Sequence, residues 1–250
     1  MRAACAAAAA VVAMAILAGC ALLEAPPAQS PSAAAPGVAP DHPAAARIND
    51  VRLPALARDG IARRVSGMTL RVRNLSCEGV GTGSGFAIDP QTLVTNRHVV
   101  AGADRLEVNS ADGRTFSVSA AEVGTLGDIA FVTVDGALPV VADLAGRPPQ
   151  GEEVSAVGYP RGGPLTITEG VVVDHVDGGP FGVPGVILRT TADVAPGNSG
   201  GPLLDRRGRV VGVVYAIEFA TDLGLAMPLD TVDRLLEEAG TMAVPPCGAW

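Results

Sequence analysis

Two sets of short, β-branched segments constrain the fold of this 250-residue chain most. The first set, about six runs, extends from TLRVRNL (69–75) to DIAFVTV (128–134), and the second, of similar size, from EVSAVGYP (153–160) to GLAMP (224–228). Gly, Asp, Asn or Pro bounds each run, as is typical of strands joined by tight turns. No helical pattern separates consecutive runs, which argues against a parallel α/β fold. The pattern predicts an all-β fold of two packed six-stranded antiparallel β-barrels, at about 69–145 and 152–228.

Helical periodicity flanks this β region on both sides. A short N-terminal helix is predicted from apolar residues at helical spacing, namely Leu53, Leu56, Ala57, Ile61 and Val65. A C-terminal helix is predicted at about 229–239, with Val232, Leu235 and Leu236 on one face and Asp230 as its cap. The domain that these elements define covers residues 48–250.

The charge balance bears on possible partners. The formal net charge is -8, the pI is near 4.8, and the arginines are scattered. A protein that tracks phosphates presents a clustered basic face, so nucleic acid is not an expected partner.

The first residues have the pattern of an export signal. Arg2 provides a positive start, an apolar run follows, and the segment ends in LAGC (17–20), which resembles the lipobox of bacterial lipoproteins. We expect a signal peptide at 1–19, acylation of Cys20, and an Ala/Pro-rich linker at 20–47 that tethers the domain to the outer face of the cytoplasmic membrane. An uncleaved membrane anchor and a freely secreted chain are the alternatives.

The remaining cysteines form a candidate disulfide. Of the four cysteines, Cys5 lies in the signal and Cys20 is the acylation candidate, which leaves Cys77 and Cys247. An exported domain folds in an oxidising compartment, so a Cys77–Cys247 bridge is predicted, with two free thiols as the alternative.

Three segments carry residue types suited to nucleophilic catalysis. A serine hydroxyl needs a base to take its proton, a group to orient that base, and donors for the oxyanion. Ser199 lies in the glycine-rich PGNSGGPLL, His98 at a strand end in LVTNRHVVAG, and Asp128 just before the apolar strand of GDIAFVTV. The glycines allow backbone N–H groups to point inward, so Gly197 and Ser199 are the candidate oxyanion donors.

The order His98, Asp128, Ser199 is the order of the chymotrypsin triad, with the serine in the second barrel. Together with GTGSGFAID and LGLAMPLD, these segments resemble a trypsin-like, chymotrypsin-fold serine peptidase of the HtrA or Deg type. The resemblance implies an endopeptidase with Ser199 as nucleophile, His98 as general base and acid, and Asp128 as orienting group. It also implies that an extended or unfolded polypeptide substrate pairs along Val214, Tyr215 and Ala216.

Two departures from better-known relatives shape the expectation. The sequence continues only briefly after the final helix. This short continuation favours a form without a PDZ domain, similar to exported actinobacterial relatives. Asn198 precedes the nucleophile where digestive enzymes carry Asp, so activation by a new N-terminal ammonium is not expected.

Asp193 is the candidate for a specificity pocket. It precedes Ser199 by six positions, the offset at which trypsin-like enzymes carry the acid that selects Lys or Arg. A loop aspartate beside a small apolar pocket is the favoured interpretation. No cofactor is predicted, and no metal-ligand spacing is evident; Glu169, Asp174 and His175 are interpreted as hairpin residues.

Two other classes of function fit the same sequence. The first is a peptide-binding module with a protease fold that does not cleave. The second is a structural envelope lipoprotein, which rests on LAGC alone.

Overall fold

The computed structural model describes residues 55–244. The predicted signal peptide, the acylation candidate Cys20, the linker and Cys247 lie outside the described residues. The described part begins with helix α1 (Ala55–Met68), which ends directly at the first strand. Val65 and Met68, in its last turn, are buried.

The first barrel follows α1 in the chain. Its strands are β1 (Thr69–Ser76), β2 (Gly79–Ala87), β3 (Thr92–Thr95), β4 (Ala103–Ser110), β5 (Thr115–Gly124) and β6 (Ala130–Val134). They are hydrogen-bonded in the order β5-β4-β1-β2-β3-β6, and a β5–β6 pairing closes the sheet. Every pairing is antiparallel. A single helical turn, α2 (Arg97–Val100), leaves the end of β3.

The second barrel is closed as well. It contains β7 (Glu153–Gly158), β8 (Thr166–Asp177), β9 (Val186–Thr190), β10 (Pro202–Asp205), β11 (Val210–Glu218) and β12 (Leu223–Pro228). The strands follow the order β10-β11-β12-β9-β8-β7. The prediction of two six-stranded antiparallel barrels with a helix at each end is confirmed, and helix α3 (Leu229–Ala239) is the C-terminal helix. The interpretation of Asp230 as its cap is wrong, because Pro228 occupies the N-cap position and Asp230 lies in the first turn.

One strand was not predicted. After α3 the chain returns to the first barrel as β13 (Thr241–Ala243), which pairs with β5 so that Met242 stands opposite Val123. All three residues of β13 are exposed, so the short TMA segment carries no alternation of apolar and polar positions that would mark it as a strand.

Apolar packing joins the two barrels and both helices. The largest buried cluster draws on α1, both barrels and α3; its members include Met68, Phe86, Ile129, Ile187, Leu225 and Leu235. A second cluster fills the first barrel, and a third lies within the second. Because one continuous core contains parts of both barrels, loops from each are held at fixed positions against the other.

Candidate active site

His98 is positioned by the helical turn at the end of β3. Asn96 keeps an extended backbone (φ -89°, ψ 151°), and the chain then turns into α2. Val99 and Val100 are buried and anchor the turn, whereas the His98 side chain is half exposed. The imidazole therefore stands at the rim of the first barrel on a fixed backbone.

Asp128 holds His98 through two hydrogen bonds. Its Oδ2 lies 2.6 Å from His98 Nδ1, and its Oδ1 accepts the His98 backbone N–H at 2.9 Å. The Asn96 side chain donates to the Asp128 carbonyl at 2.8 Å, which fixes the backbone that carries the carboxylate. An imidazole that donates from Nδ1 to a carboxylate presents Nε2 as the proton acceptor. The pair thus has the geometry of a base and its orienting acid.

Ser199 lies in the loop between β9 and β10, where two glycines have positive φ. Gly197 has φ +101° and Gly200 has φ +83°, conformations that side-chain-bearing residues rarely adopt. The loop is tied down from within and from β11. The Gly201 N–H donates to the Asn198 carbonyl at 2.8 Å, and the Gly200 N–H donates to the Val214 carbonyl at 2.7 Å.

Backbone N–H groups beside Ser199 are free to bind an anion. The Arg161 N–H donates to the Pro196 carbonyl at 2.6 Å, and in a trans peptide the C=O and N–H point in opposite directions, so the Gly197 N–H points away from Arg161. Within residues 55–244, neither the Gly197 N–H nor the Ser199 N–H donates a hydrogen bond. Two such donors beside a nucleophile have the composition of an oxyanion hole.

One cleft, of about 430 Å³, brings these groups together. His98, Gly197 and Ser199 line it, and its far wall is the β1–β2 hairpin from Asn74 to Thr82. In the described part of the chain the Ser199 hydroxyl makes no hydrogen bond to His98, whose imidazole bonds only to Asp128. Contacts of this kind commonly tighten when substrate binds.

The predicted substrate strand contains a β-bulge. The pairing of β11 with β12 shifts between Val214 and Ala216, so Tyr215 lies at the irregularity. The Val214 N–H donates to the Gly201 carbonyl at 2.9 Å, and the Val214 carbonyl accepts the Gly200 N–H. Both backbone groups of Val214 are therefore bonded to the loop that carries Ser199. Tyr215 is buried, which raises the pKa of its hydroxyl well above the ordinary range, and the negative charge of Asp128 raises it further.

Asp193 lies at the protein surface. Its side chain is exposed, and its carbonyl accepts a hydrogen bond from the Thr168 hydroxyl at 2.6 Å. The next residue, Val194, is 9% exposed and belongs to the apolar cluster of the second barrel. Beside it, a Cβ on Gly224 would stand only 2.7 Å from the Val194 side chain. In this segment the Val194 side chain, and not the Asp193 carboxylate, points into the second barrel.

Cys77 occupies the tip of the β1–β2 hairpin. Its neighbours Ser76 and Glu78 line the cleft, and Cys77 itself is disulfide-bonded. The bond to Cys247 stays a prediction because that residue lies outside the described part. Among residues 55–244, no helix is long and apolar enough to cross a membrane, and no group of His, Cys, Asp and Glu side chains could hold a metal ion.

The family profile described as "Trypsin-like peptidase domain" matches residues 83–213, more than half of the chain. The chain belongs to the trypsin-like peptidase family.

Relatives of this trypsin-like peptidase include named proteases. HhoA of Synechocystis sp. is 36% identical over 181 residues, which cover 67% of this chain and 46% of HhoA. Serine protease Rv3671c of Mycobacterium tuberculosis is 33% identical over 172 residues, or 65% of this chain and 43% of that protein. The trypsin-like peptidase chain thus spans less than half the length of these curated relatives.

Solved structures show the same fold. The crystal structure of the Rv3671c protease in its active form matches the trypsin-like peptidase with a TM-score of 0.66 and 29% identity, covering 78% of this chain and 90% of that one. The HtrA-type protease AlgW with tripeptide matches with a TM-score of 0.64 and 25% identity, covering 72% and 62%. These likenesses place HtrA-type proteins among the relatives of this trypsin-like peptidase.

Sequence reasoning missed three residues that shape the site of this trypsin-like peptidase. Asn96 supports Asp128, Arg161 orients the peptide before Gly197, and Ser84 bonds to the nucleophile loop from the other barrel. The first two act through an amide side chain or a backbone group that no motif marks. Ser84 had a visible signal, because it is the one hydroxyl in the glycine-rich GSGF that precedes a buried strand end.

Proposed function

We propose that this chain is a serine endopeptidase that works through an acyl-enzyme, with Ser199 as nucleophile, His98 as base and acid, and Asp128 as orienting group. The observation that carries the proposal is the 2.6 Å contact between His98 Nδ1 and Asp128 in the cleft that Ser199 also lines. The unpaired N–H groups of Gly197 and Ser199 in the same cleft support it, since they supply the charge stabilisation that acyl transfer needs.

In this proposal each group carries out one step. His98 Nε2 takes the Ser199 hydroxyl proton as the oxygen attacks the scissile carbonyl, and Asp128 stabilises the imidazolium. The Gly197 and Ser199 N–H groups bind the oxyanion of the tetrahedral intermediate. His98 then gives the proton to the leaving amine, and a water activated by the same imidazole releases the acyl group from Ser199.

The substrate in this proposal is an extended or unfolded polypeptide. Because Val214 has already used both backbone groups, a substrate strand added to β11 pairs from Tyr215 toward Ala216. The buried Val194 favours a small apolar substrate residue before the scissile bond. A basic residue is less favoured there, because the Asp193 carboxylate is exposed and screened by solvent. Selection of Lys or Arg by Asp193 stays a prediction.

The proposal also includes the setting of the enzyme. Export, acylation of Cys20 and tethering to the outer face of the membrane rest on sequence patterns outside residues 55–244. The disulfide on Cys77 is consistent with an oxidising compartment. Pairing with Cys247 belongs to the same proposal.

Labelling by a fluorophosphonate probe tests the proposed activity. We expect the full-length chain to be labelled at Ser199 and to cleave an unfolded polypeptide. Ser199→Ala should abolish labelling and lower kcat by about 10⁴-fold or more. Ser119→Ala is the matched control, because Ser119 is an exposed serine on β5 whose hydroxyl bonds only to the Thr133 carbonyl.

The same experiment separates the alternatives. A folded chain that binds unfolded polypeptide but neither reacts with the probe nor cleaves would indicate a binding module. If the folded wild-type chain were not labelled and neither bound nor cleaved unfolded polypeptide, and Ser199→Ala behaved identically, the structural lipoprotein would be the better interpretation.

A further inference from the structure

A serine from the first barrel contacts the oxyanion loop of the second. Ser84, on β2, is completely buried. Its hydroxyl donates to the Gly197 carbonyl at 2.6 Å and accepts the Tyr159 N–H at 2.9 Å. Ser84 and Gly197 are 113 residues apart in sequence, so this contact depends on how the barrels pack.

The backbone of Ser84 adds two more bonds. Its N–H donates to the Ser199 carbonyl at 2.8 Å, and its carbonyl accepts the Thr95 hydroxyl at 2.6 Å. Thr95 is the last residue of β3, three positions before His98. One residue therefore connects the strand that leads to the base, the nucleophile and the first oxyanion donor.

Gly197 requires this support because a glycine resists rotation of its peptide planes only weakly. The peptide before it is held by the bond from the Arg161 N–H to the Pro196 carbonyl. The peptide after it is held by the Ser84 hydroxyl. Rotation of the first plane would turn the Gly197 N–H away from the cleft, and rotation of the second, which joins Gly197 to Asn198, would shift the Gly197 N–H relative to the Ser199 N–H.

Two glycines pack closely against Ser84. A Cβ on Gly158 would lie 2.7 Å from the Ser84 hydroxyl, and a Cβ on Gly200 would lie 2.2 Å from the Ser84 carbonyl. The absence of side chains at these two positions thus allows the second barrel to approach both the hydroxyl and the backbone of Ser84.

We infer that Ser84 is a positioning residue for the oxyanion hole: its hydroxyl holds the Gly197–Asn198 peptide, which joins the two candidate donors, so that the Gly197 and Ser199 N–H groups keep their relative positions toward the reacting carbonyl. The inference rests on the proposed endopeptidase activity and deepens it. An oxyanion donor acts mainly in the transition state, so loss of its alignment should lower kcat and leave substrate binding nearly unchanged. If the hydroxyl only strengthened the contact between the barrels, its removal would lower stability and would leave kcat and KM unchanged.

Steady-state kinetics of the full-length chain with a peptide substrate test this inference. For Ser84→Ala we expect kcat to fall by about 10-fold or more and KM to stay within about two-fold of wild type. The affinity for a peptidyl boronic acid, which forms a tetrahedral adduct, should fall by a similar factor. Thr231→Val is the matched control, because it removes another buried hydroxyl, bonded to the Val186 carbonyl at 2.8 Å, far from the cleft. Its kcat should stay within about two-fold of wild type.

Thermal melts and crystal structures complete the test. If Ser84→Ala is folded, lowers the melting temperature as Thr231→Val does and keeps wild-type kcat and boronate affinity, the inference is overturned. If wild type neither turns over nor reacts with a fluorophosphonate, the proposed activity fails, and crystal structures of wild type and Ser84→Ala decide the positioning role alone. A reoriented Gly197–Asn198 peptide in the variant would support the positioning role, and an unchanged one would overturn it. If Ser84→Ala does not fold, Ser84→Gly is tested in the same assays, because it removes the same hydroxyl and adds no side-chain atoms.

Discussion

The two barrels contribute to the cleft in different ways. The first barrel presents side chains: His98 and Asp128 lie 30 residues apart in sequence and bond directly to each other. Apart from the Ser199 hydroxyl, the second barrel presents backbone: the N–H groups of Gly197 and Ser199 lie on a loop whose own carbonyls are held by Ser84 and Arg161. The His98 side chain is half exposed to solvent, whereas Gly197 is buried.

This difference shows that the two halves of the site depend on different kinds of precision. A base needs the correct tautomer, which one carboxylate can enforce. An oxyanion donor needs a fixed peptide plane, which neighbouring residues must hold from both sides. We therefore expect the first half to fail through changes of side-chain chemistry and the second through changes of backbone conformation.

The largest expected effect tests the side-chain half. Asp128→Asn keeps the size of the group but changes what it can accept and donate, so the imidazole is no longer held with its proton on Nδ1. We expect kcat to fall by about 10⁴-fold while the melting temperature changes little. Asp112→Asn is the control, since Asp112 is an exposed aspartate that pairs with Arg114 at 2.9 Å. A variant at Asp128 with kcat near wild type would remove His98 and Asp128 from the mechanism.

The second prediction tests the backbone half. Gly197→Ala would place a Cβ 2.3 Å from the Tyr159 carbonyl at φ +101°, so the loop must change conformation. We expect the free energy of unfolding to fall by about 3 kcal/mol, and activity to be lost with it, as measured by urea unfolding and peptide cleavage. Gly146→Ala, which meets nothing within 4 Å, should change stability by less than about 1 kcal/mol. Equal stability of the two variants would contradict the described loop conformation.

The smallest effect concerns the contact between the barrels. The chain has two tyrosines, and burial raises the pKa of Tyr159 to about 12 and that of Tyr215 further. Tyr159 donates its hydroxyl to the Thr69 carbonyl at 3.2 Å, across the barrels. Because the unfolded chain releases these protons near pH 10 and the folded one does not, stability is complete below that pH and falls as pH rises toward 12. For Tyr159 alone the loss at pH 12 is about 2 kcal/mol.

Absorbance at 295 nm and circular dichroism along an alkaline titration measure this loss. Below about pH 11 tyrosinate should appear only with unfolding, and Tyr159→Phe should weaken the dependence of stability on pH above 10. Tyrosinate that forms near pH 10 in a chain with native circular dichroism would contradict the burial of both rings.

The sequence predicts the side-chain half of the site better than the backbone half. Strand patterns and the order of His98, Asp128 and Ser199 lead to two barrels and to the candidate triad, because local periodicity and residue chemistry carry that information. Ser84 and Arg161 are not found in this way, because the role of Ser84 comes from the packing between the barrels and that of Arg161 from the packing of two loops of the second barrel. Val214 shows the same limit: a motif marks its strand but not which of its backbone groups are already bonded.

β13 gives the chain a particular order of completion. The sheet of the first barrel gains its last strand from residues that follow the whole second barrel, with Thr241 reaching Glu122 across 119 positions. During synthesis the end of β5 that β13 covers, residues 122–124, therefore keeps one unpaired side until the second barrel and α3 have been made. Strands of other chains can add to such an edge, so we expect the interval between translation of β5 and of β13 to favour mispairing there.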